Sequence, residues 1–358
     1  MELLEINLRI VFRNIKHILA MENILTSRRA LIRQMGLAMT AIAIPFPITT
    51  FTKFNIMTDN KNFDVIIIGG SYAGLSAAMT LGRSLKNVLI IDNSQPCNRF
   101  TPRSHNFITQ DGAEPGKIAL EAKNQVLKYD TVKFHLDVAV SGRKTQSGFI
   151  IDTQDGRTFS AKKLVIATGI KDIFPSMKGF AECWGKTIIH CPYCHGYEFK
   201  GMKTAIVANG ERAFHLAALV SNLTDKLTII TQDAPDFKED QLNRLEKNRI
   251  SIITKEVLEA EHLDGDLKAL VFKDGSREKF DAAYAVIPFE QHSNIPYSLG
   301  CEITEMNLLK VDMFQKTNIP GMYACGDCAS PLRSVAYAVA TGNIVGSMVN
   351  NELTMEEF

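Results

Sequence analysis

The chain has 358 residues, enough for two ordinary domains, and 46% of them are hydrophobic, as is normal for a soluble globular protein. Forty lysines and arginines balance 39 aspartates and glutamates, so the overall charge gives no indication of a nucleic-acid partner. Seven cysteines scattered over a long chain do not resemble the disulfide framework of a secreted protein. They favour a reducing compartment, the cytoplasm, for the folded body.

The first 56 residues differ in composition from the rest. They hold seven basic residues against three glutamates, whereas the remainder holds 33 basic and 36 acidic residues. Arg28 and Arg29 precede the short apolar run 35–43, a pattern typical of the twin-arginine signals that export folded proteins. A disordered tail, or a mis-assigned start upstream of Met57, is the alternative for this leader.

A strand, a glycine turn and a helix follow one another directly after the leader. Residues 65–68 are a β-branched run, residues 69–74 (GGSYAG) form the turn, and the next residues have helical composition. This order places backbone N–H groups and a helix N-terminus where a pyrophosphate can bind. The next strand, 87–91, ends at Asp92, which is placed to accept hydrogen bonds from a ribose. The segment therefore predicts dinucleotide binding, with less space for the phosphates because Ser71 replaces the usual middle glycine.

Two later segments also predict apolar strands. Residues 164–169 (LVIATG) predict a second apolar strand that ends in small residues, and residues 321–327 (GMYACGD) predict a third. Asp327 lies between a glycine and a predicted helix over 333–348. There its carboxylate can bond a polyol hydroxyl while the helix N-terminus faces a phosphate or a ring carbonyl; a simple helix cap is the alternative.

The motif Cys191-Pro192-Tyr193-Cys194-His195 lies in the middle of the chain. Two thiols at this spacing can close to a disulfide and reopen, and a histidine titrates near neutrality, so it can take and return the proton of each exchange. An inert disulfide or pair of thiols is the structural alternative. Zinc held with His190 is a further one, but four ligands within six residues cannot easily surround one ion, and we expect no metal.

These motifs, in this order and at these separations, resemble the low-molecular-weight thioredoxin reductase family of pyridine nucleotide-disulfide oxidoreductases. The resemblance covers about 62 to 350. It implies an α/β fold with two Rossmann-like three-layer nucleotide-binding domains, in which the second, 173–291, is inserted into a discontinuous FAD domain formed by 62–172 and 292–358. It also implies a homodimer.

The same resemblance implies a role for each motif. Cys194 would contact the flavin ring, Cys191 would exchange with the substrate, and Arg333 would open a helix that runs beside the ring. His195 stands where the family commonly has aspartate, as in the C-x-x-C-H variant of dithiol oxidases in the same family. FAD would lie against Gly69, Gly70, Ser71, Ala73, Gly74, Asp92, Thr168, Gly169, Gly326 and Asp327.

The inserted domain departs from the family pattern at its own nucleotide turn. After the strand that ends at Val207, residues 208–213 keep only the central glycine and the final alanine of a G-x-G-x-x-A turn. The next strand ends at Gln232-Asp233, where the family usually has a basic cluster for the 2′-phosphate of NADP. A carboxylate there repels a phosphate and suits a bare ribose hydroxyl. NADH is therefore favoured over NADPH, and loss of nucleotide binding is an alternative.

For the cysteines and histidines outside the redox motif we predict structural roles, except that His105 has two alternatives. Cys97, Cys183 and Cys301 are solitary cysteines that are expected to serve in packing, and His190 is expected to be structural. His105, on the loop after the second strand, either borders the flavin or belongs to a plain loop.

The sequence as a whole predicts an FAD-dependent disulfide oxidoreductase. Electrons would pass from NAD(P)H through the flavin and the Cys191/Cys194 disulfide to a disulfide substrate, which is either a thioredoxin-like protein or a small molecule. A dithiol oxidase that uses oxygen and no pyridine nucleotide is the first alternative. A non-enzymatic flavin-binding sensor is the second.

Overall fold

The computed structural model describes residues 62–358, so the predicted leader lies outside the described residues. Within that range no helix combines the length and the apolar character that a membrane crossing requires. The first segment contains β1 (Asn62–Ile68), α1 (Tyr72–Arg83), β2 (Val88–Asp92), α2 (Pro115–Val126), β3 (Val132–Leu136), β4 (Ala139–Thr145), β5 (Gly148–Thr153), β6 (Thr158–Ile166) and β7 (Ile170–Asp172).

The middle of the chain is built from shorter elements. They are α3 (Phe180–Cys183), β8 (Ile188–Ile189), α4 (Pro192–His195), β9 (Thr204–Val207), α5 (Gly210–Val220), β10 (Leu227–Ile230), α6 (Glu239–Lys247), β11 (Ser251–Ile253), β12 (Val257–Leu263), β13 (Asp266–Phe272), β14 (Arg277–Glu278), β15 (Ala282–Ala285) and β16 (Phe289–Gln291). The last segment adds α7 (Ile295–Ser298), β17 (Met322–Ala324) and the long helix α8 (Val335–Glu357).

The larger sheet has the strand order β3-β2-β1-β6-β5-β4, and β17 pairs with β6. Strands β3, β2, β1, β6 and β17 are parallel, whereas β4 and β5 extend the sheet in antiparallel fashion. Val65, Ile66 and Ile67 of β1 are fully buried, as expected for a strand covered on both faces. One apolar cluster under α1 and α8 and a second on the opposite face form the core of this region.

The register of this sheet explains where a site can form. Ile68 at the end of β1 pairs with Ile91 of β2 and with Ile166 of β6, and Ile166 pairs with Ala324 of β17. The carboxyl ends of four parallel strands are therefore level at one edge of the sheet. The turns that follow them meet there, which is the usual position of ligands in open parallel α/β sheets.

The middle segment forms a second parallel sheet with the order β11-β10-β9-β15-β8. An antiparallel sheet of β12, β13 and β14 accompanies it, and β7 pairs with β16 where the chain leaves and re-enters the first region. The predicted fold class, α/β with two Rossmann-like parallel sheets, is confirmed. The predicted domain boundaries at residues 172 and 291 stay predictions.

Several predicted element bounds were wrong. The strand predicted over 164–169 is the end of β6, which stops at Ile166, and the strand predicted over 321–327 is reduced to β17. The helix predicted over 333–348 begins later, because the Ser334 hydroxyl caps α8 by accepting from the Tyr337 N–H at 3.1 Å. Arg333 therefore lies before the helix and does not open it.

Candidate active site

A cavity of about 470 Å³ lies at the level carboxyl ends of the larger sheet. All the predicted cofactor-binding residues except Gly74 line it, together with Cys194 and His195 of the redox motif. The sheet register thus brings together turns that are far apart in the sequence. Their role in holding a cofactor stays a prediction.

The turn after β1 is shaped by glycine. Gly69 has φ +105°, and a Cβ there would overlap the carbonyl oxygen of Ala167 on the neighbouring strand connection. The Gly70 N–H donates to Asp92 Oδ1 at 2.8 Å, and the Ser94 N–H donates to Asp92 Oδ2 at 2.9 Å. Asp92 is therefore fixed at the cavity, and each of its oxygens keeps a lone pair for a ligand hydroxyl.

Gly74 has a different role from the one predicted. It lies in the first turn of α1 and does not line the cavity. A Cβ on Gly74 would overlap the carbonyl oxygen of Gly69. Gly74 therefore lets α1 approach the turn that faces the cavity.

A buried ion pair lies beside the cavity. The Arg333 guanidinium binds the Asp172 carboxylate through two hydrogen bonds of 2.9 and 3.0 Å. Its Nη2 also donates to Cys97 Sγ at 3.2 Å, and its Nε lies 3.9 Å from Asp327 Oδ2. The prediction that Cys97 serves only in packing was wrong, because its sulfur accepts this hydrogen bond and it lines the cavity. The burial of Cys97 raises the pKa of its thiol in spite of the nearby Arg333 charge.

The sequence analysis did not predict that Asp172 is the partner of Arg333. The partner of Arg333 is 161 residues away in the chain. A carboxylate at the end of a short strand after the predicted LVIATG segment was the only available signal.

Asp327 is not a helix cap, since Ser334 takes that position. Burial raises the pKa of its carboxyl to about 6, and the nearby Arg333 charge opposes this shift. The elevated pKa means that the folded protein binds a proton here that the unfolded chain releases, so stability falls as the pH rises from about 4 to about 6.

We expect Asp327→Asn to stabilise the apoprotein at neutral pH by roughly 2 kcal/mol and to have little effect near pH 4. The amide keeps the size of the carboxyl but carries no charge to desolvate. Urea unfolding of the FAD-free wild type and variant across this pH range measures the difference. Equal stability of the two proteins at pH 7 would contradict the prediction.

The lining of the cavity fits FAD. The buried atoms Thr168 Oγ1, Arg333 Nε and His190 Nε2 have no hydrogen-bond partner among the described residues, and all three residues line the cavity. Gly169 has φ +65°, and a Cβ there would meet open space. A ligand rich in hydroxyl, phosphate and ring carbonyl groups would supply the missing partners. The glycine turn, Asp92 and Asp327 would then hold its sugar and phosphate groups.

The redox motif reaches the cavity with one of its two sulfurs. Cys191 and Cys194 are joined by a disulfide. Cys191 is the N-cap of α4, and its sulfur accepts from the Cys194 N–H at 3.2 Å. Cys194 lines the cavity and Cys191 does not. The roles implied by the resemblance, with Cys194 towards a flavin and Cys191 towards a substrate, stay predictions.

The two histidines of the motif region are both held neutral by their surroundings. Burial lowers the pKa of His195, the neighbouring His105 lowers it further, and Glu198 opposes the shift. Burial lowers the pKa of His190 to about 3, and its ring stacks on Trp184 with a centroid separation of 5.9 Å. His195 can therefore act as a base at neutral pH, whereas His190 fills the wall of the cavity.

The turn between β9 and α5, where a dinucleotide would bind, is hydrogen-bonded to the loop that follows β10. Asn209 Oδ1 accepts from the N–H groups of Gly210 and Asp236 at 2.8 and 2.9 Å, and Asn209 Nδ2 donates to the Ala234 carbonyl at 2.8 Å. A Cβ on Gly210 would lie 3.3 Å from the Asp236 carboxylate. Asp236, which the sequence analysis did not name, therefore places a negative charge at the N-terminus of α5.

Asp233, the acid that the sequence analysis did name, is engaged locally. Its Oδ1 accepts from the Ala234 N–H at 2.7 Å, within the same turn. The chain bends at Gln232, whose φ is +62°.

The comparison with protein families agrees with this geometry. A family model described as pyridine nucleotide-disulphide oxidoreductase matches residues 63–342. The chain belongs to this family. The curated protein named thioredoxin reductase sirT, from Leptosphaeria maculans, is 30% identical over 305 residues that cover 80% of this chain and 93% of the relative. The predicted family resemblance is therefore confirmed, and the chain is an oxidoreductase of thioredoxin reductase-like type.

Solved structures of this pyridine nucleotide-disulphide oxidoreductase type share the fold. The putative thioredoxin reductase TrxB from Bacillus anthracis has a TM-score of 0.78 and 31% identity, and covers 83% of this chain and 100% of that one. An oxidoreductase from Agrobacterium tumefaciens has a TM-score of 0.77 and 33% identity, and covers 82% and 99%. The family binds FAD and uses NAD(P)H, so the chain is of flavoprotein type.

Proposed function

We propose that the protein is an FAD-dependent thiol–disulfide oxidoreductase that passes electrons from NAD(P)H to a disulfide substrate. The observation that carries the proposal is the position of the Cys191–Cys194 disulfide. Of its two cysteines only Cys194 lines the cavity, and the neutral base His195 lines it too. The substrate, a thioredoxin-like protein or a small disulfide, would exchange at Cys191. The thioredoxin reductase names of relatives such as that of Leptosphaeria maculans support this direction of electron flow.

The chemistry of the chain's own groups follows from this arrangement. Bound FAD supplies the electron pair that opens the internal disulfide. His195 takes the proton of the attacking Cys191 thiol, and the thiolate attacks one sulfur of the substrate disulfide, so that a mixed disulfide forms and a substrate thiolate leaves. Cys194 then attacks the Cys191 sulfur, which closes the internal disulfide again. The second substrate thiolate then leaves. The two departing thiolates take up the two protons that the Cys191 and Cys194 thiols release, so the substrate gains two electrons and two protons.

A second candidate, a dithiol oxidase, is favoured by Asp236. Its carboxylate lies where the helix N-terminus of a dinucleotide fold would face a pyrophosphate, and two like charges repel each other there. In this version the exchange runs in the opposite direction. A substrate dithiol closes to a disulfide as Cys191 and Cys194 become thiols, and oxygen is the final electron acceptor.

Anaerobic mixing of the FAD-loaded protein with NADH or NADPH separates the two candidates. If NAD(P)H is the donor, either nucleotide bleaches the visible flavin absorbance within the time of one turnover, and NADH is expected to be faster. If the protein is a dithiol oxidase, neither nucleotide bleaches it and dithiothreitol does. Failure of all three reagents would contradict both versions.

The variants Asp236→Asn and Asp233→Asn test whether the Asp236 carboxylate restricts access of the nucleotide to the turn between β9 and α5. We expect the Asp236 variant to be bleached by NADH at least about tenfold faster than the wild type, because the loss of one charge near a phosphate is worth more than 1 kcal/mol. Asp233→Asn is the matched control in the same loop. Equal rates in both variants would show that Asp236 does not restrict access of the nucleotide.

A further inference from the structure

The loop between β2 and α2 holds His105 in a fixed position. The Ser104 N–H donates to the Ala113 carbonyl, and the Gly112 N–H donates to the Ser104 carbonyl, both at 2.8 Å. These two bonds close the loop at its base. The His105 side chain is only 20% exposed and lines the cavity with His195. The sequence analysis left His105 open between a flavin neighbour and a plain loop residue; the structure places it beside the redox motif.

Both ring nitrogens of His105 face carboxylates. Nδ1 lies 3.6 Å from Asp111 Oδ1, and Nε2 lies 3.4 Å from Glu198 Oε1. Glu198 belongs to the turn that directly follows the redox motif, so this pair joins the loop to that motif. The ring of His105 meets the ring of His195 edge to face, with centroids 6.4 Å apart and an angle of 89°.

We propose that His105, which lies between the carboxylates of Asp111 and Glu198, is a positioning residue of the redox centre and keeps His195 in the neutral form that accepts a thiol proton. The inference rests on the proposed thiol–disulfide exchange. It assigns His105 no contact with substrate or flavin. Its effect on the reaction passes through His195.

His105 is the neighbouring side chain that, with burial, disfavours protonation of His195. His190 is neutral at physiological pH because burial lowers its pKa to about 3. Tyr284, which faces Glu198 from β15, is also neutral because burial raises its pKa. Glu198 is negative and favours protonation of His195, whereas burial and His105 both disfavour it. Without His105, the balance at His195 would move towards the imidazolium.

The step affected is the first one of the exchange. A thiol loses its proton to His195 and its sulfur attacks a disulfide sulfur; one S–S bond forms, one breaks, and the leaving sulfur departs as a thiolate. An imidazolium at position 195 cannot take this proton. The acid limb of the rate profile therefore reports the protonation of His195, and a change at His105 should move that limb without any change in the reacting sulfurs.

The test uses the FAD-loaded protein and the variants His105→Asn, His105→Lys and His215→Asn. His215 is an exposed histidine of α5, outside the residues that line the cavity, and serves as the control. NMR titration of the His195 ring, assigned with a His195→Asn variant, gives its midpoint directly. The pH dependence of reduction of the internal disulfide by dithiothreitol gives the kinetic limb.

In His105→Asn we expect both the midpoint and the acid limb to move to higher pH, by on the order of one pH unit for charges at this separation. His105→Lys places a cation at this position and should return both towards the wild-type value, and His215→Asn should move neither. An unchanged midpoint in His105→Asn would overturn the inference. So would a rise that His105→Lys does not reverse, since that pattern indicates a structural effect of the ring.

This design separates the inference from the proposed function. If dithiothreitol opens the disulfide in the wild type and the midpoint of His195 is indifferent to His105, the inference fails and the proposed function stands. If dithiothreitol never opens the disulfide, the proposed function fails, and the NMR titration still reports the coupling of the two rings.

Discussion

Replacement of either Cys191 or Cys194 by serine is expected to lower turnover by at least about a thousandfold, while the protein keeps its FAD. Serine preserves the size of the side chain but cannot form the disulfide that carries the electron pair. Steady-state turnover with dithiothreitol or a small disulfide measures the loss, and the visible absorbance measures bound flavin. Undiminished turnover in both variants would remove the basis of the proposed function.

The two serine variants should differ in the accessibility of the sulfur that remains. Cys194 lines the cavity, so bound FAD should protect it from alkylation by iodoacetamide in Cys191→Ser. The remaining Cys191 in Cys194→Ser should react at the same rate with and without FAD. Cys301→Ala, a buried cysteine of the apolar cluster on the far face of the sheet, controls for general loss of a thiol. Equal protection of both sulfurs would contradict the assigned division between them.

The sequence predicts well those parts of the site that are local. The β-branched run before Gly69, the turn itself and Asp92 lie within a short stretch, and their order follows from the geometry of one strand, one turn and one helix. The structure places Gly69 and Asp92 at the cavity, where that order puts them. The level ends of four parallel strands then bring Thr168 and Asp327 to the same place.

The parts that the sequence does not predict depend on distant partners. Arg333 was assigned to the start of a helix, but Ser334 caps that helix and leaves Arg333 free to bind Asp172. The contact of His105 with Glu198 joins two loops that no local pattern connects. Neither pairing has a period or a spacing that could be recognised before the fold is known.

The loop after β10 carries two aspartates, Asp233 and Asp236, which make different contacts. The first acid after β10 is Asp233, which is why the sequence favoured it as the residue that meets a nucleotide. The chain bends at Gln232, whose φ is positive; Asp233 accepts from the next N–H, and the Asp236 carboxylate lies near the start of α5. Asparagine at 209 fixes this course by accepting from the Asp236 N–H. The sequence analysis predicted a carboxylate where a nucleotide ribose would lie, and it did not predict the negative charge that Asp236 places near the N-terminus of α5.

The largest expected effect on the fold belongs to Gly74→Ala. The added Cβ would overlap the Gly69 carbonyl oxygen, and because this atom is backbone it cannot give way as the end of a flexible side chain could. We expect a loss of at least about 3 kcal/mol in the free energy of unfolding, the range of overpacked and strained sites. Gly116→Ala, in α2 with no atom near its Cβ position, is the control and should change stability by no more than about 1 kcal/mol.

The Gly74 variant also tests why this glycine matters for FAD. Since Gly74 does not line the cavity, its effect on the cofactor must come from displacement of α1 and the Gly69 turn. The loss of stability should therefore be at least as large in the FAD-free protein as in the loaded one, and weaker FAD binding should accompany it. Urea unfolding of both forms, with FAD content after gel filtration, measures the two effects. A variant that loses FAD but unfolds at the wild-type urea concentration without it would instead make Gly74 a direct cofactor contact, because only the bound state would then sense the added methyl group.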